Sequence, residues 1–467
     1  DIKEAPNGDI YICGIFDNVS NKGEIVANTK GIARWSKANQ QWEAVGDPDG
    51  VNTSITVIYV MAFDANGDLY VGGYFTDLAD IANADYFAKF TVSTGLWSAV
   101  GGGIDNSVQA IAISPEGTVY IGGTFTSAGG NTNCNYIAYF DKTANDWRPL
   151  STGLNQIVYA LKFAPDGRLL IGGNFTNADG ANGDYICWWD GSAFKSFKDL
   201  GAPELDPYGF VLSIDINPNG TIIIGGYFTN AGGDPKADYV AAWRGNNWGA
   251  LMAGGLNNYV NKVYCADNGD IYLVGSFTKA GELFITDRVV RSVQGTYQRM
   301  DIDLPGMDSI YAIYIDSNDS LYLGGGFSTI SSGQNAIAAG IVGGADLNVS
   351  SGSANTYPRM QIIGPGKLYS ITNYSTGAQV AFNDLTLLAG ERLDLNFDPL
   401  NLKFVSSWAG RGSVLRYVNA GSDYGNFYLK PGNNSISLFM DKATTTIATK
   451  AWIAWKPKFW GIDGALL

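Results

Sequence analysis

The chain has 467 residues, of which 46% are hydrophobic and 16% are charged, so it can bury a large core and is too apolar to be disordered. Its 30 basic and 44 acidic residues give a net charge of −14, which argues against nucleic acid or an anionic membrane as the main partner. Histidine is absent, which excludes Ser-His-Asp, Cys-His and zinc-histidine chemistry.

Four cysteines, Cys13, Cys134, Cys187 and Cys265, lie far apart in the sequence and form no CxxC pair. This spacing predicts neither a zinc site nor a dense disulfide framework, and we expect most of these thiols to be buried. No apolar run approaches the roughly 18 residues that a membrane-spanning helix requires. We therefore expect no insertion into a membrane.

A short motif of the form GGxFT recurs along most of the chain. It is seen as VGGYFT from Val71, it returns from residues 121, 171, 224, 273 and 323, and a degenerate copy begins at Cys13. The phenylalanines of the seven copies are Phe16, Phe75, Phe125, Phe175, Phe228, Phe277 and Phe327. Successive phenylalanines are 59, 50, 50, 53, 49 and 50 residues apart. Such a period indicates a repeated structural unit.

Each unit is predicted to contain four short strands, as in segments 158–163, 168–175, 185–189 and 194–198. Turns rich in Asn-Gly and Asp-Gly join the first two strands, because these residues supply the positive φ that tight hairpins need. One aromatic residue opens the last strand of every unit, and these residues are Trp42, Trp97, Trp147, Phe194, Trp248, Tyr297 and Tyr357. Four strands in about fifty residues are typical of a propeller blade. We predict an all-β protein with a seven-bladed β-propeller over residues 1–363.

After residue 363 the motif stops and a different alternation of apolar and polar residues begins. The predicted strands of this part are 368–374, 379–388, 393–397, 435–440 and 446–455. We predict a small β-sandwich over residues 364–467. Its tryptophans Trp452, Trp455 and Trp460 are expected to be core or interface residues rather than a platform for sugars.

The repeat resembles the GGxFT class of kelch-like propeller repeats in bacterial and phage surface proteins, over about three quarters of the chain. The C-terminal part is similar to the galectin-like module of siphophage distal-tail components, in segments 364–366, 385–391, 429–434 and 455–460. The resemblance implies a galectin-like or jelly-roll sandwich that docks to a phage particle, and a propeller that faces outward. The N-terminal ring-forming domain of distal-tail components has no counterpart in the sequence.

One face of such a propeller carries the loops after each GGxFT and the links between blades, and ligands most often bind there. The link 201–210 is longer than its equivalents and combines two acidic with two aromatic residues. The predicted ligand contacts on this face are Asn131, Asn133, Asp179, Asp184, Glu204, Asp206, Tyr208, Asn257 and Tyr259. Asn and Asp beside aromatic rings suit hydroxyl-rich glycans. The alternative for each residue is a solvated loop position.

Neither a metal site nor a catalytic site is predicted. Segments 64–68 and 267–270 resemble calcium loops, but they lack the bidentate Glu of an EF-hand and occupy hairpin-turn positions. Acidic residues are plentiful, yet no pair of carboxylates is distinguished by its spacing, as glycoside hydrolysis would require. We expect no cofactor.

The sequence thus predicts a non-enzymatic protein of the virion surface, from a phage tail or fibre. Its propeller would recognise a host-surface glycan or receptor, and its sandwich would attach to other tail or baseplate proteins. The alternative is a bacterial structural or adhesion protein, extracellular or on the cell surface, that assembles with itself as a homo-oligomer. A third hypothesis is a polysaccharide-degrading enzyme. Nucleic acid is not an expected partner.

Overall fold

The computed structural model describes residues 1–454 apart from positions 22–23, 40, 47–54, 177, 179–182, 198–208, 253, 282, 285–287, 294, 301–308, 317–319, 326–337, 350–356, 374, 409, 431 and 441–449. In these residues the regular structure consists of β-strands and short 3-10 segments, with no α-helix. The predicted all-β class is confirmed. No helix in the described part of the chain is long and apolar enough to cross a membrane.

The chain divides into two compact units. The first comprises Asp1–Tyr314 and Leu323–Ala336, and the second comprises Ile315–Tyr322 and Ile337–Leu467.

The first unit begins with three four-stranded antiparallel sheets. The first sheet is built from strands β1 (Ile2–Glu4), β2 (Ile10–Cys13), β5 (Ile32–Ser36) and β6 (Gln41–Glu43), and the separate hairpin β3 (Val19–Asn21) and β4 (Glu24–Val26) is inserted into it. The second contains β7 (Ile55–Phe63), β8 (Leu69–Phe75), β9 (Phe87–Thr91) and β10 (Leu96–Ala99). The third contains β11 (Val108–Ile113), β12 (Val119–Gly123), β13 (Ile137–Asp141) and β14 (Asp146–Pro149).

Three further sheets follow with the same strand order. The fourth sheet contains β15 (Val158–Phe163), β16 (Leu169–Gly173), β17 (Ile186–Trp189) and β18 (Phe194–Ser196). The fifth contains β19 (Phe210–Ile216), β20 (Ile222–Tyr227), β21 (Val240–Trp243) and β22 (Trp248–Ala250). The sixth contains β23 (Val260–Cys265), β24 (Ile271–Gly275), β27 (Val289–Val293) and β28 (Thr296–Arg299), with the small hairpin β25 (Lys279–Ala280) and β26 (Leu283–Phe284) inserted. Strands β29 (Ile310–Ile315) and β30 (Ser320–Gly325) come next.

Tight hairpin turns join the first two strands of these sheets. The turn glycines all have φ between 83° and 89°, and they are Gly8, Gly67, Gly117, Gly167, Gly220 and Gly269. In the turn after β7, the Asp64 carboxylate accepts hydrogen bonds from the amides of Asn66 and Asp68, at 2.9 and 3.0 Å. The calcium-like sequence 64–68 is therefore a hairpin turn whose carboxylate binds the backbone.

The paired glycines of GGxFT lie where two pieces of backbone approach each other. A Cβ on Gly122 would lie 2.4 Å from Val158 Cγ1 of the next sheet, and a Cβ on Gly123 would lie 2.1 Å from the Ser107 carbonyl oxygen beside β11. The same two contacts recur in other sheets, at Gly72 and Gly73, Gly172 and Gly173, and Gly225 and Gly226. The motif requires glycine because any side chain at these positions would force neighbouring sheets or strands apart.

A tyrosine at positive φ starts the third strand of four sheets, a feature that the sequence did not predict. These residues are Tyr86, Tyr136, Tyr185 and Tyr239, with φ between 59° and 63°. In the third sheet the Tyr136 amide donates to the Phe125 carbonyl at 2.8 Å, and the Gly123 amide donates to the Tyr136 carbonyl at 3.0 Å. These two hydrogen bonds hold a left-handed conformation that is uncommon for a residue with a side chain.

The landmark aromatic residues fill the core between sheets. The motif phenylalanines are at most 2% exposed in five sheets, at Phe75, Phe125, Phe175, Phe228 and Phe277. The indole nitrogen of Trp97 donates to the Val45 carbonyl, and that of Trp147 donates to the Val100 carbonyl, at 3.3 and 3.1 Å. Each indole thus anchors its sheet to the end of the preceding one.

All four cysteines are free thiols. Cys13, Cys134 and Cys187 are buried and Cys265 is half-buried, which confirms the prediction that most of them are buried. Burial raises the pKa of each thiol, to about 11 for Cys134. The thiols therefore stay protonated at neutral pH, and a protonated thiol is a poor nucleophile and metal ligand.

Strand β29 contacts the first and the sixth sheets. The Tyr314 hydroxyl donates to Glu4 Oε2 at 2.9 Å, and the Tyr314 ring lies 5.8 Å from that of Tyr264 in an edge-on arrangement. Asn261 Nδ2 donates to the Ile310 carbonyl at 2.7 Å. These contacts link β29 to the first and to the last of the six four-stranded sheets.

The second unit contains eight strands in the part that the structure describes after residue 337. They are β31 (Ala338–Val349), β32 (Arg359–Ile363), β33 (Gly366–Asn373), β34 (Ala378–Leu387), β35 (Arg392–Asn396), β36 (Lys403–Ser406), β37 (Gly432–Met440) and β38 (Lys450–Ala454). Strands β31, β37, β33 and β34 are neighbours in one sheet, and β36, β35, β32 and β38 form another. Buried residues of both sheets, among them Leu368, Val380, Ile362 and Phe404, belong to one hydrophobic core.

Strand β32 differs from the sequence-based expectation. The sequence assigned segment 357–363 to the last propeller blade, but β32 pairs with β35 and β38 of the second unit. Its alternation explains this, because Met360 and Ile362 are 5% and 0% exposed and enter the core of that unit. The domain boundary after residue 363 stays a prediction.

A buried carboxylate connects two turns of the second unit. Glu391 is 1% exposed, and its side chain accepts hydrogen bonds from the Leu388 amide at 2.8 Å and from the Ser406 hydroxyl. Arg411 Nε lies 3.2 Å from Glu391 Oε1. The ion pair and these hydrogen bonds offset part of the cost of removing the charge from water.

We expect Gly123→Ala to lower the free energy of unfolding by about 1–3 kcal/mol, because its Cβ would overlap a backbone carbonyl that cannot move aside. Gly249→Ala is the matched control, since a Cβ there would make only ordinary contacts, at 3.5 Å or more. Urea denaturation measures both. Equal stability of the two variants would contradict the role given to the motif glycines.

Arg411→Met should destabilise the second unit by about 3–5 kcal/mol, because it leaves the Glu391 carboxylate buried and unpaired. Arg392→Met removes an exposed ion pair with Asp394 at 2.9 Å and should cost no more than about 1 kcal/mol. Chemical denaturation measures the free energy of unfolding of both variants. A similar small loss in both would show that Glu391 does not depend on Arg411.

Candidate functional site

A group of aromatic rings, one exposed and four half-buried, extends across three sheets of the first unit. We call Tyr159, Phe210, Tyr227, Tyr239 and Tyr259 the aromatic row. The Tyr227 ring lies 5.5 Å from Phe210, 6.0 Å from Tyr239 and 6.5 Å from Tyr259, and Phe210 lies 5.9 Å from Tyr159. Tyr227 is 46% exposed. The row offers contiguous ring surface to a ligand.

Strand geometry explains why the row forms. Tyr227 occupies the variable position of GGxFT, so it points away from the buried face that holds Phe228. Phe210 is its register partner across β19 and β20, which stacks the two rings at an interplanar angle of 24°. Tyr239 is one of the tyrosines held at positive φ, and its amide donates to the Phe228 carbonyl at 2.8 Å.

Two phenols of the row, Tyr159 and Tyr239, have a raised pKa and remain neutral hydrogen-bonding groups at physiological pH. Burial raises the pKa of Tyr159. Burial, followed by the neighbouring Tyr227 and Asp238, raises the pKa of Tyr239. These hydroxyl groups can both donate and accept hydrogen bonds, beside rings that offer apolar faces.

Of the predicted contact residues, Tyr259 belongs to the row, and Asn257 lies two residues before it in the sequence. Asn257 Oδ1 accepts the amides of Thr278 and Lys279, both at 2.8 Å, and its Nδ2 donates to Thr278 Oγ1 at 2.8 Å. We call this pair of Asn–Thr hydrogen bonds, one through the threonine amide and one through its hydroxyl group, the clamp. The same clamp joins Asn155 to Thr176 in the fourth sheet. Asn257 therefore has a structural task, and its role as a ligand contact stays a prediction.

Three other predicted contacts lie on the third and fourth sheets. Asn131 Oδ1 accepts the Asn133 amide at 3.1 Å, and its Nδ2 donates to the Trp147 carbonyl at 3.4 Å, so it shapes the loop after β12. Asn133 is exposed, and Asp184 is half-buried beside Tyr185. Asp179, Glu204, Asp206 and Tyr208 lie outside the described residues. Ligand contacts by these residues stay predictions.

Sequence analysis missed four members of the row: Tyr159, Phe210, Tyr227 and Tyr239. Two signals were available. The variable position of the motif is aromatic at Tyr74 and Tyr227, and a tyrosine follows Asp or Asn at the start of the third strand in several units. These signals do not show that the aromatic residues lie next to one another, because that depends on contacts between sheets.

Metal ligation has no geometric support in the described residues, where no group of three or more Cys, Asp and Glu side chains could hold an ion.

One protein family matches part of the chain: the Rax2 C-terminal beta propeller domain matches residues 90–187. This segment runs from the end of β9 to β17, through the third and fourth sheets. The match and the series of four-stranded antiparallel sheets show that the chain contains a β-propeller. No curated protein matches the sequence at a significant level.

Solved structures include distant likenesses. The extracellular domain of a protein described as a hybrid two-component system of B. thetaiotaomicron is 14% identical, with a TM-score of 0.47, and the match covers 87% of this chain and 45% of that chain. Virginiamycin B lyase of Staphylococcus aureus is 12% identical, with a TM-score of 0.44, and the match covers 69% of this chain and 90% of the lyase. This chain thus spans less than half the length of that extracellular domain.

Asn257→Ala should lower the free energy of unfolding by about 1–3 kcal/mol, because it leaves the Thr278 and Lys279 amides without their acceptor. Faster amide hydrogen exchange at these two residues is expected as well. Asn133→Ala is the control and should change stability by less than about 0.5 kcal/mol, since its side chain is exposed. Unchanged exchange in Asn257→Ala would contradict the clamp.

Proposed function

We propose that the protein is a non-enzymatic recognition protein of the virion surface, from a phage tail or fibre, whose propeller binds a glycan or receptor on the host surface. The aromatic row carries this proposal. Sugar rings present apolar C–H faces that pack on tyrosine and phenylalanine, while phenol hydroxyl groups bind sugar hydroxyl groups. Five rings across three sheets suit an extended oligosaccharide better than a single sugar.

The architecture in this proposal is a seven-bladed propeller followed by a β-sandwich. Six four-stranded sheets, together with β29 in contact with both the first and the sixth, support a closed ring of seven blades. Two sheets with a shared core support a sandwich of galectin-like or jelly-roll type. The sandwich would attach the protein to tail or baseplate proteins.

The alternative is a self-assembling structural or adhesion protein, extracellular or on a bacterial cell surface. One observation favours it. Ile15 and Ile25, beside and within the β3–β4 hairpin, are 87% and 71% exposed. Highly exposed apolar side chains favour contact with another protein or another copy of the chain.

The test is binding of the intact protein to a glycan array and to candidate host cells, followed by variants of the row. Tyr227→Ala should weaken binding by about tenfold or more, because the central ring contributes on the order of 1–3 kcal/mol. Tyr227→Phe should retain most of the affinity, since it keeps the stacking surface.

Tyr74→Ala is the matched control, because Tyr74 holds the same motif position in the second sheet and is 48% exposed. It should bind as the unchanged protein does. Equal loss in both tyrosine variants, or saturable binding that neither variant affects, would contradict recognition by the row. Concentration-dependent polymers without any glycan binding would favour the structural alternative.

A further inference from the structure

Lysines from three different sheets meet near the centre of the first unit. The first strands of consecutive sheets contact one another there, β7 with β11, β11 with β15, β15 with β19 and β19 with β23. Lys3 in β1 and Lys162 in β15 each stand two residues before the Ala-Pro turn of their sheet, and Asp215 holds the equivalent place in β19. Lys262 lies in β23. We call Lys3, Lys162 and Lys262 the central lysines.

Two carboxylates accompany the three ammonium groups. Lys162 Nζ lies 2.7 Å from Asp215 Oδ1, which is a close ion pair. Lys3 Nζ and Lys262 Nζ each lie 3.9 Å from the Asp1 carboxylate, one at each oxygen. With all side chains ionised, three lysines and two aspartates leave one positive charge, and the α-ammonium group of Asp1, which donates to the Cys13 carbonyl at 3.0 Å, adds another. The chain as a whole has a net charge of −14.

Both carboxylates also accept hydrogen bonds from backbone amides, which limits their capacity to accept hydrogen bonds from the lysines. Asp215 Oδ2 accepts the Cys265 amide at 2.7 Å, and Asp1 Oδ2 accepts the Met61 amide at 3.2 Å. Met61 lies in β7 and Cys265 lies in β23. In the described residues, each of these strands is at the edge of its sheet and pairs with one neighbouring strand only. A carboxylate that satisfies such an amide has less capacity left for an ammonium group.

Lys3 and Lys262 have free donor capacity facing solvent. Within the described residues neither Nζ has a hydrogen-bond acceptor, and the side chains remain 38% and 34% exposed. Burial, then Lys262 and Lys162, lowers the pKa of Lys3 to about 7, and burial lowers the pKa of Lys262. Like charges are thus held close together, and an added anion would relieve their repulsion.

We propose that the central lysines bind a small polyvalent oxyanion of the phosphate or sulfate type. Its oxygens accept hydrogen bonds from the ammonium groups of Lys3 and Lys262, while Lys162 stays paired with Asp215. The site lies on the inner strands, and the proposal does not depend on glycan recognition by the aromatic row.

Affinity should rise as the pH falls through about 7, because Lys3 gains its charge there. The charged or titratable groups around Lys3 are the carboxylate and α-amino group of Asp1, Cys13, Lys162, Asp215 and Lys262. Glu4 follows Lys3 in β1, and its carboxylate accepts a hydrogen bond from Tyr314 of β29. Burial keeps the Cys13 thiol neutral, since it raises its pKa. Sulfate is the suitable probe, because it stays doubly charged across neutral pH whereas phosphate itself titrates near about pH 6–7.

The experiment is calorimetric titration of the intact protein with sodium sulfate, against sodium chloride of equal ionic strength. Saturable binding of one sulfate is expected, tighter at about pH 6 than at about pH 8.5. Lys3→Gln and Lys262→Gln should each weaken it by about tenfold, the effect of losing one charge-assisted hydrogen bond. Lys195→Gln, an exposed residue of β18, is the control and should leave binding unchanged.

Lys3→Arg tests whether the pH dependence comes from the charge of Lys3, because arginine stays protonated between about pH 6 and pH 8.5. This variant should bind sulfate with a smaller pH dependence, because only Lys262 then has a lowered pKa. No saturation beyond the effect of chloride would overturn the proposal. So would equal affinity in Lys3→Gln, or a pH dependence in Lys3→Arg as large as in the unchanged protein.

Discussion

The close approach of backbone at the paired glycines is the constraint on which the rest of the propeller depends. At Gly122 and its equivalents a valine of the next sheet occupies the space that a Cβ would need, and at Gly123 a carbonyl oxygen of the neighbouring strand does. These contacts set the spacing between sheets and between the first two strands of each sheet. The glycines define this spacing. The buried phenylalanine of the motif then fills the core at that spacing, and the tryptophan indole donates a hydrogen bond to the preceding sheet.

This spacing also determines what the surface presents. With Gly226 and Phe228 fixed towards the interior, Tyr227 must point outward, and its register partner Phe210 must lie beside it. Along the inner strands the same repetition brings Lys3, Lys162 and Asp215 to equivalent positions. A repeated frame with variable residues at fixed points can therefore assemble sites from segments far apart in the sequence. The aromatic row and the central lysines are two such assemblies.

The sequence revealed the features that local chemistry encodes. The motif period located the sheets, and Asn-Gly and Asp-Gly turns located the hairpins, because both depend on residues close together in the chain. It did not reveal the pairing of β32, since an alternating strand can join any edge with a matching apolar face. It did not reveal the hydrogen bonds that Asn257 makes to the loop after β24, because a polar loop residue shows its hydrogen-bond partners only in the folded chain. The aromatic row was missed because its rings come from three sheets.

A crystal structure of the intact protein with the oligosaccharide that binds most tightly on the array would test the central claim directly. The account predicts sugar rings packed on Tyr227 and its neighbours in the aromatic row, with hydrogen bonds to the phenol hydroxyl groups. A saturating oligosaccharide bound at another surface, with the aromatic row left in contact with solvent, would contradict it.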